Sequence, residues 1–167
     1  PVYGYYGGED SHSDELWRLY IPTKRKYRFI SNWTSTTLQG VRVLPKSGDH
    51  LIITKSMKDV MCLHEFGFNA LAPNSENIII TKTQCNRLDV RFSNKFCLFD
   101  NDLAGVKGAK KYKREFGIKC IFIKRKYAKD MSDLYKAISN TQFWIVVDEL
   151  KDIISGKVNN TKHFYVF

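Results

Sequence analysis

Residues 96–117 read FCLFDNDLAGVKGAKKYKREFG, and the order of chemistry along this stretch decides the fold. Phe96–Phe99 is an apolar run too short for a buried helix and suited to a strand covered on both faces. Two carboxylates, Asp100 and Asp102, follow at once. Val106, Ala109, Tyr112 and Phe116 then recur three or four residues apart with lysines between them, which predicts a helix with one apolar face. Gly117 stands where a left-handed residue would stop that helix. A buried strand that delivers acids into a loop opening a helix is half of a parallel crossover unit.

The same alternation extends in both directions. Cys120–Ile123 predicts the next strand. Upstream, His50–Thr54 is a short buried strand. Ser56 can cap a helix whose apolar positions Met57, Val60, Met61 and Phe66 fall three or four apart, Gly67 ends it, and Phe68–Ala72 is another strand. Thr83 is expected to cap a helix carrying Cys85, Leu88 and Phe92. Strands separated by helices require right-handed crossovers, so residues 50–128 predict an α/β fold with a mainly parallel sheet flanked by helices. The flanks differ. Residues 1–48 hold strand-like Trp17–Ile21 and Tyr27–Ile30 and read as a small basic α+β or antiparallel lobe. Residues 49–131 are the α/β domain, and 132–167 a C-terminal helical segment and tail. Ser132 and Thr141 are expected helix starts, the second helix carrying Phe143, Ile145, Val146, Leu150 and Ile153. The end, KVNNTKHFYVF, reads as a strand or the beginning of a linker. Trp17, Trp33 and Trp144 read as lobe or helix core, and His12, His50, His64 and His163 as isolated.

Composition limits the function. The chain has 167 residues, 43% of them hydrophobic, so it can bury a core and is not a disordered segment. No run reaches the roughly 18 apolar residues of a membrane span. The opening PVYGYYGGED has neither the basic n-region nor the apolar h-region of a secretory signal. Cys62, Cys85, Cys97 and Cys120 lack the short spacings of a zinc site and read as single thiols in a cytoplasmic core. The net charge is +10, and residues 105–130 hold ten Lys/Arg against two acids. A second basic cluster is Lys24, Arg25, Lys26 and Arg28, interleaved with Tyr20, Tyr27 and Phe29. Cations among aromatic rings suit a single-stranded polyanion, whose phosphates they neutralise and whose bases stack.

Parallel sheets place their chemistry at the carboxyl ends of strands. Three loops leave such ends: Thr54-Lys55-Ser56 with Asp59 one turn into the helix, Asp100-Asn101-Asp102, and Lys129-Asp130-Met131-Ser132-Asp133. Carboxylates at i and i+2 beyond a buried strand can face one cation. They favour Mg²⁺ or Mn²⁺, hard ions that keep positions open for substrate phosphates. Asp100, Asp102 and Asp130 are the candidate metal ligands. Asp100, Asp102, Asp59 and Lys55 are the candidate catalytic set.

The order IITKSMKDVMCLHEFGFNALAPNSE, CLFDNDLAGVKGAKKY and KDMSD resembles a Toprim domain. It is most similar to the Toprim-containing polymerase domain of DNA primases, especially the phage primase-helicase type. The family's D-x-D falls on Asp100 and Asp102 within F-D-x-D-x-A-G. Its helix aspartate falls on Asp59, and its late K-D on Lys129-Asp130. YRFISN (27–32) followed by LQGVRVL (38–44) is similar to the primase lobe. The resemblance implies a cytoplasmic nucleotidyltransferase that joins ribonucleoside triphosphates into primers on single-stranded DNA, using Mg²⁺ or Mn²⁺, with a helicase as a possible partner and no membrane. On that reading Lys55, Lys58, Lys129 and Asn32 would meet the nucleotide, and Lys24, Arg25, Lys26 and Arg28 the nucleic acid.

One position departs from the family. Its glutamate falls on Lys55 and the glycine after it on Ser56. A protonated lysine cannot ligate Mg²⁺, and it brings +1 where −1 is expected. Either Lys55 holds a triphosphate oxygen while the aspartates keep the metal, or the site has lost catalysis and kept binding. Glu65 and Glu76 are the spare carboxylates. A Toprim nuclease is the weaker alternative, since the lobe is a primase feature. The primase zinc module has no counterpart among these cysteines.

Overall fold

The computed structural model describes residues 1–10, 12–74 and 78–167. Among them lie two sheets. A small antiparallel sheet is built from β1 (Tyr3–Glu9), β2 (Glu15–Tyr20) and β3 (Phe29–Ser31), in that order. The larger sheet uses β4 (Leu38–Gln39), β5 (Gly48–Ile53), β6 (Ala70–Pro73), β7 (Phe92–Phe99), β8 (Lys119–Ile123) and β9 (Phe164–Val166). Its order is β4-β6-β5-β7-β8-β9, with β6, β5, β7 and β8 parallel and the two outer strands antiparallel to them. The helices are α1 (Met57–Glu65), α2 (Lys82–Arg91), α3 (Leu103–Phe116), α4 (Met131–Ala137) and α5 (Asn140–Ile154).

Strand alternation sorts the core into two layers. Ile52, Phe96, Leu98, Ile121 and Ile123 face one side, against Val60 and Leu63 of α1, Leu134 of α4 and Val146, Leu150 and Ile153 of α5. Leu51, Ile53, Cys97, Phe99, Cys120 and Phe122 face the other, against Leu88 of α2 and Ala109 and Tyr112 of α3. Both faces are covered, which is why these strands read as continuous apolar runs. Each fully buried Leu, Ile or Phe contributes on the order of 2 kcal/mol.

The chain reverses direction beside β5. After β5, α1 leads to β6 on one side; α2 then carries the chain back to β7 on the other side of β5. The crevice between the carboxyl ends of β5 and β7 is therefore the topological switch point, where open α/β sheets bind ligands.

Several boundaries differ from those expected. Thr81, not Thr83, caps α2, because Gln84 three residues on returns a bond to the Thr81 N–H and completes a capping box. Phe92 is not on the helix face but begins β7, where the chain turns extended. Asp130 and Ser139, not Ser132 and Thr141, cap α4 and α5. Asp130 accepts from Asp133 N–H, and Ser139 forms a capping box with Gln142. The tail is ordered as β9, beside β8. Of the tryptophans, Trp33 is buried, whereas Trp17 and Trp144 are 40% and 65% exposed. Ile145 is exposed on α5, and Val147 takes the inward place beside Val146. His163 is not isolated. It is buried, with Nδ1 3.1 Å from Glu149 Oε2. The four cysteines are free thiols, and among the described residues no helix is long and apolar enough to cross a membrane.

Candidate nucleotide and metal site

Register brings the site together. Ile53 of β5 stands beside Cys97 of β7, so Lys55 and Asp100 emerge as neighbours just past the strand ends. The Lys55 ammonium lies 3.1 Å from Asp100 Oδ2, and both side chains are nearly buried. Lys129, from the loop after β8, places its Nζ 3.2 Å from the same Asp100 oxygen and 3.5 Å from Asp102 Oδ2. The two aspartates thus converge on one cationic point, which Lys129 fills from an exposed stem. Asn101 holds the loop in place, its Nδ2 donating to Ile123 O at 2.9 Å and its backbone N–H to Lys129 O.

Asp102 is also the cap of α3. Its Oδ1 accepts from Gly105 N–H at 2.9 Å, and that bond, then Lys55 and Lys129, holds its carboxyl below the usual range. Gly105 explains the glycine of the F-D-x-D-x-A-G stretch. A Cβ there would lie 1.9 Å from the Asp100 carbonyl oxygen, a backbone atom that no rotamer change can move.

Asp59 sits deeper, in the first turn of α1. Its Oδ2 accepts from Ser56 Oγ at 2.8 Å, and its Oδ1 from Ser132 N–H at 3.1 Å. Burial, together with the charges of Asp130 and Asp100, pushes its carboxyl up to about 6. Ser56 and Ser132, expected as helix starts within two of the rim loops, are thus parts of the site through their bonds to Asp59. Asp130 has a structural engagement as well. Its Oδ1 accepts from Ser132 Oγ at 2.9 Å and Asp133 N–H at 2.8 Å.

The other candidates are dispersed. Lys58 lies on the first turn of α1, its ammonium 5.7 Å from the centre of the Tyr20 ring. Asn32 braces the lobe: its Oδ1 accepts from Trp17 N–H at 2.7 Å and its Nδ2 donates to Glu15 O at 2.9 Å. Lys24, Arg25, Lys26 and Arg28 occupy the exposed loop between β2 and β3, with Tyr27 in a left-handed conformation. Glu65 ends α1 on an exposed turn, roughly 9 Å along the axis from Asp59 at 1.5 Å per residue. Glu76 lies outside the described residues.

A divalent ion fits this donor set in one place. The Lys129 ammonium is a stand-in cation between Asp100 and Asp102, so the pair already accepts positive charge there. Beside Lys55 the fit fails, because that ammonium fills the space a glutamate-bound ion would need. Among the described residues no three His, Cys, Asp or Glu side chains close on a single point.

The Toprim-like family matches residues 52–135, half of the chain. The chain belongs to the Toprim-like family. Its fold is also that of primase catalytic cores. It superposes on the DnaG primase catalytic domain bound to ssDNA with a TM-score of 0.62 at 15% identity, covering 89% of this chain and 52% of that one. A DNA primase domain from Pseudomonas aeruginosa gives 0.63 at 18%, covering 87% and 50%. The primase fragment of the bacteriophage T7 primase-helicase protein gives 0.59 at 12%, covering 91% and 62%. The chain spans about half the length of the first two of these structures. No curated protein matches the sequence.

Two predictions concern this Toprim-like site. Asp59 is protonated more readily folded, near pH 6, than unfolded, near 3.8, so the folded state binds more protons in that window. Stability therefore falls as pH rises from about 4 to 6, by up to about 3 kcal/mol. In chelator, Asp59→Asn should flatten this slope and raise the neutral-pH melting temperature; an unchanged slope refutes the assignment. Gly105→Ala, which in an open helix would stabilise by about 1 kcal/mol, should instead lower the melting temperature by roughly 3–10 °C through the clash with Asp100.

Proposed function

We propose that this chain is the polymerase module of a primase, joining ribonucleoside triphosphates into short primers on single-stranded DNA. The observation that carries the reading is the Lys55–Asp100–Lys129–Asp102 cluster at the β5/β7 switch point. The joining step is attack of one nucleotide's 3′-hydroxyl on the α-phosphorus of the next, with pyrophosphate leaving. Such transfers rest on positioning and charge stabilisation rather than on covalent help from the protein. Lys55 is pre-set for this: its near-buried ammonium is held by Asp100 at the crevice mouth, where a triphosphate oxygen can share it. Lys129, exposed on a long stem, can swing from the aspartates to a phosphate. Asp100 and Asp102 would hold Mg²⁺ or Mn²⁺ in the place Lys129 leaves, with Asp130 on the adjoining loop, and the ion would supply further positive charge beside the phosphates. Asp59 positions by its bond to Ser132 N–H, tying α1 to the start of α4.

The cations of the β2–β3 loop are the proposed grip on the DNA template. A helicase, in the same chain or a separate one, is the natural supplier of unwound template. A second reading is favoured by one observation, the Lys55–Asp100 ion pair: a module that binds nucleic acid or a replication partner without catalysis. The weaker nuclease reading uses the same carboxylates on phosphodiesters.

Template-directed primer synthesis with Mg²⁺ or Mn²⁺ separates these readings. The wild-type chain should make primers, Asp100→Ala should make none, and Lys55→Glu should lose at least about 100-fold, equivalent to roughly 2.7 kcal/mol of transition-state stabilisation. Activity that rises in Lys55→Glu supports the binding module, as does DNA binding without synthesis. Cleavage of DNA without nucleotides supports the nuclease. Binding to single-stranded DNA should weaken with salt. Replacing Lys24, Arg25, Lys26 and Arg28 by alanine should reduce the slope of log K against log salt by about 2–3, at roughly 0.7 for each phosphate no longer neutralised. An unchanged slope would remove that loop from the interface.

A further inference from the structure

Helix α3 turns a basic face without rings to solvent. At 3.6 residues per turn, Leu103, Lys107, Lys110, Lys111 and Arg114 fall within roughly a 100° arc, opposite the buried Gly105, Ala109 and Tyr112. All five are exposed, Leu103 at 83%. Glu115 is the single acid of the helix, and it pairs with Arg114 at 3.0 Å. Among the described residues Lys107, Lys110 and Lys111 have no ion pair. Lys107–Lys111 and Lys110–Arg114 are like charges four residues apart, which repel along a helix. An anion lying against the face relieves that repulsion.

Two features fix where the face leads. Asp102, one of the two aspartates that face Lys129, is also the cap of α3, so the row of cations starts beside the nucleotide and metal site and runs away from it. On one flank two concavities share Ile79. The first is lined by Lys55 and Gly105. The second, a cleft of about 550 Å³, is lined by Lys111 and by Lys82 at the start of α2. A path therefore runs from Lys55, past Ile79, to cations on two neighbouring helices.

We propose that this face of α3 holds the backbone of the primer–template duplex as it leaves the site. The proposal rests on the primer-joining reading above and gives the product a track separate from the template grip of the β2–β3 loop. The two surfaces differ in chemistry. The loop sets Tyr27, 82% exposed, among its cations, a ring on which an unpaired base can stack. The α3 face offers cations alone, which suits strands whose bases are already paired and whose phosphates face outward. From Lys107 to Arg114 the row is about 10 Å long at 1.5 Å per residue. That length covers about three phosphates of one strand, at 3.4 Å of duplex axis each. A protein partner fits less well, because protein interfaces depend on buried aromatic and Arg anchors seated in pockets, and the only apolar side chain in this row is Leu103.

The test measures binding of the whole chain to a short blunt RNA–DNA hybrid and to an oligothymidylate of the same length, by fluorescence anisotropy across a salt series. Replacing Lys107, Lys110, Lys111 and Arg114 together by alanine should weaken the hybrid on the order of 100-fold at about 0.1 M salt. The slope of log K against log salt should fall by about 2–3, at roughly 0.9 for each phosphate no longer neutralised. Oligothymidylate affinity should change far less. Arginine at 107, 110 and 111 keeps the charge and should bind the hybrid as the wild type does. Alanine is a strong helix former, so the melting temperature of the quadruple variant should not fall. Lys107→Glu, a single exposed change, should weaken the hybrid more than Lys107→Ala and keeps the test open if four changes disturb the fold. Hybrid affinity and slope unchanged in the quadruple variant overturn the track and leave the primer reading intact, since synthesis by the wild type decides that reading. Equal losses for hybrid and oligothymidylate, or wild-type binding of polyglutamate as tight as of hybrid, also overturn the duplex assignment. A wild-type chain that makes primers without binding the hybrid overturns the track alone. One that makes no primers and binds neither nucleic acid overturns the track and the primer reading together.

Discussion

The ion pair between Lys55 and Asp100 is where the local chemistry of this protein converges. A lysine and an aspartate nearly removed from water hold each other in place at the ends of two adjacent parallel strands. Removing Asp100 would take this carboxylate from the near-buried Lys55 ammonium, a change that typically costs about 3–5 kcal/mol; removing Lys55 would leave Asp100 still paired with Lys129. The pair also sets the sign of everything near it. Lys129 adds a second positive charge and Asp102 a second negative one, and the buried Asp59 is the carboxyl that resists ionisation. A charge-balanced cluster of this kind can be rearranged by an arriving anion: an ammonium that leaves a carboxylate can find a phosphate instead.

The surrounding fold serves this balance. Strand β5 stands between β6 and β7, so the crossover reverses at the place where Lys55 and Asp100 emerge. Helix α3 starts immediately after, capped by Asp102, and packs so closely on Asp100 that only glycine fits at 105. Helix α4 starts at Asp130, and α1 is joined to it through Asp59 and Ser132. Three of the acids at this rim, Asp59, Asp102 and Asp130, therefore shape helix starts as well as supplying charge. The lobe sheet adds Tyr5, Arg18, Tyr20 and Phe29 across a cleft of about 310 Å³ from Lys55 and Lys58 at the start of α1.

Much of the site is legible in the sequence because it follows local rules. The D-x-D after an apolar strand, the cap at Ser56 and the stop at Gly117 each depend on residues within one turn of each other. Helix starts are misplaced where two local signals compete. Thr83 and Thr81 both precede the same apolar face, and only the Gln84 side chain decides between them. Asp130 reads as a ligand and is also a cap, through its bond to Asp133 at a three-residue spacing that the sequence does display. The parts of Arg18 and Tyr5 in the cleft leave no local signal. They belong to lobe strands whose facing partner, the first turn of α1, comes much later in the chain.

The sequence alone determined the alternation of strands and helices, the double-sided burial of the sheet, and the residue types at its rim. Periodicity and capping are short-range physics, and a linear string preserves them. The sequence also showed the reversed charge at Lys55, but not its consequence. Only the tertiary structure decided that this ammonium meets Asp100 rather than solvent, that Lys129 bridges the two aspartates, and that Tyr20 and Phe29 of the lobe line a cleft reaching Lys55. Each of those facts depends on strand order and register, which bring distant segments within a few ångströms; no pattern within a single segment encodes such a meeting.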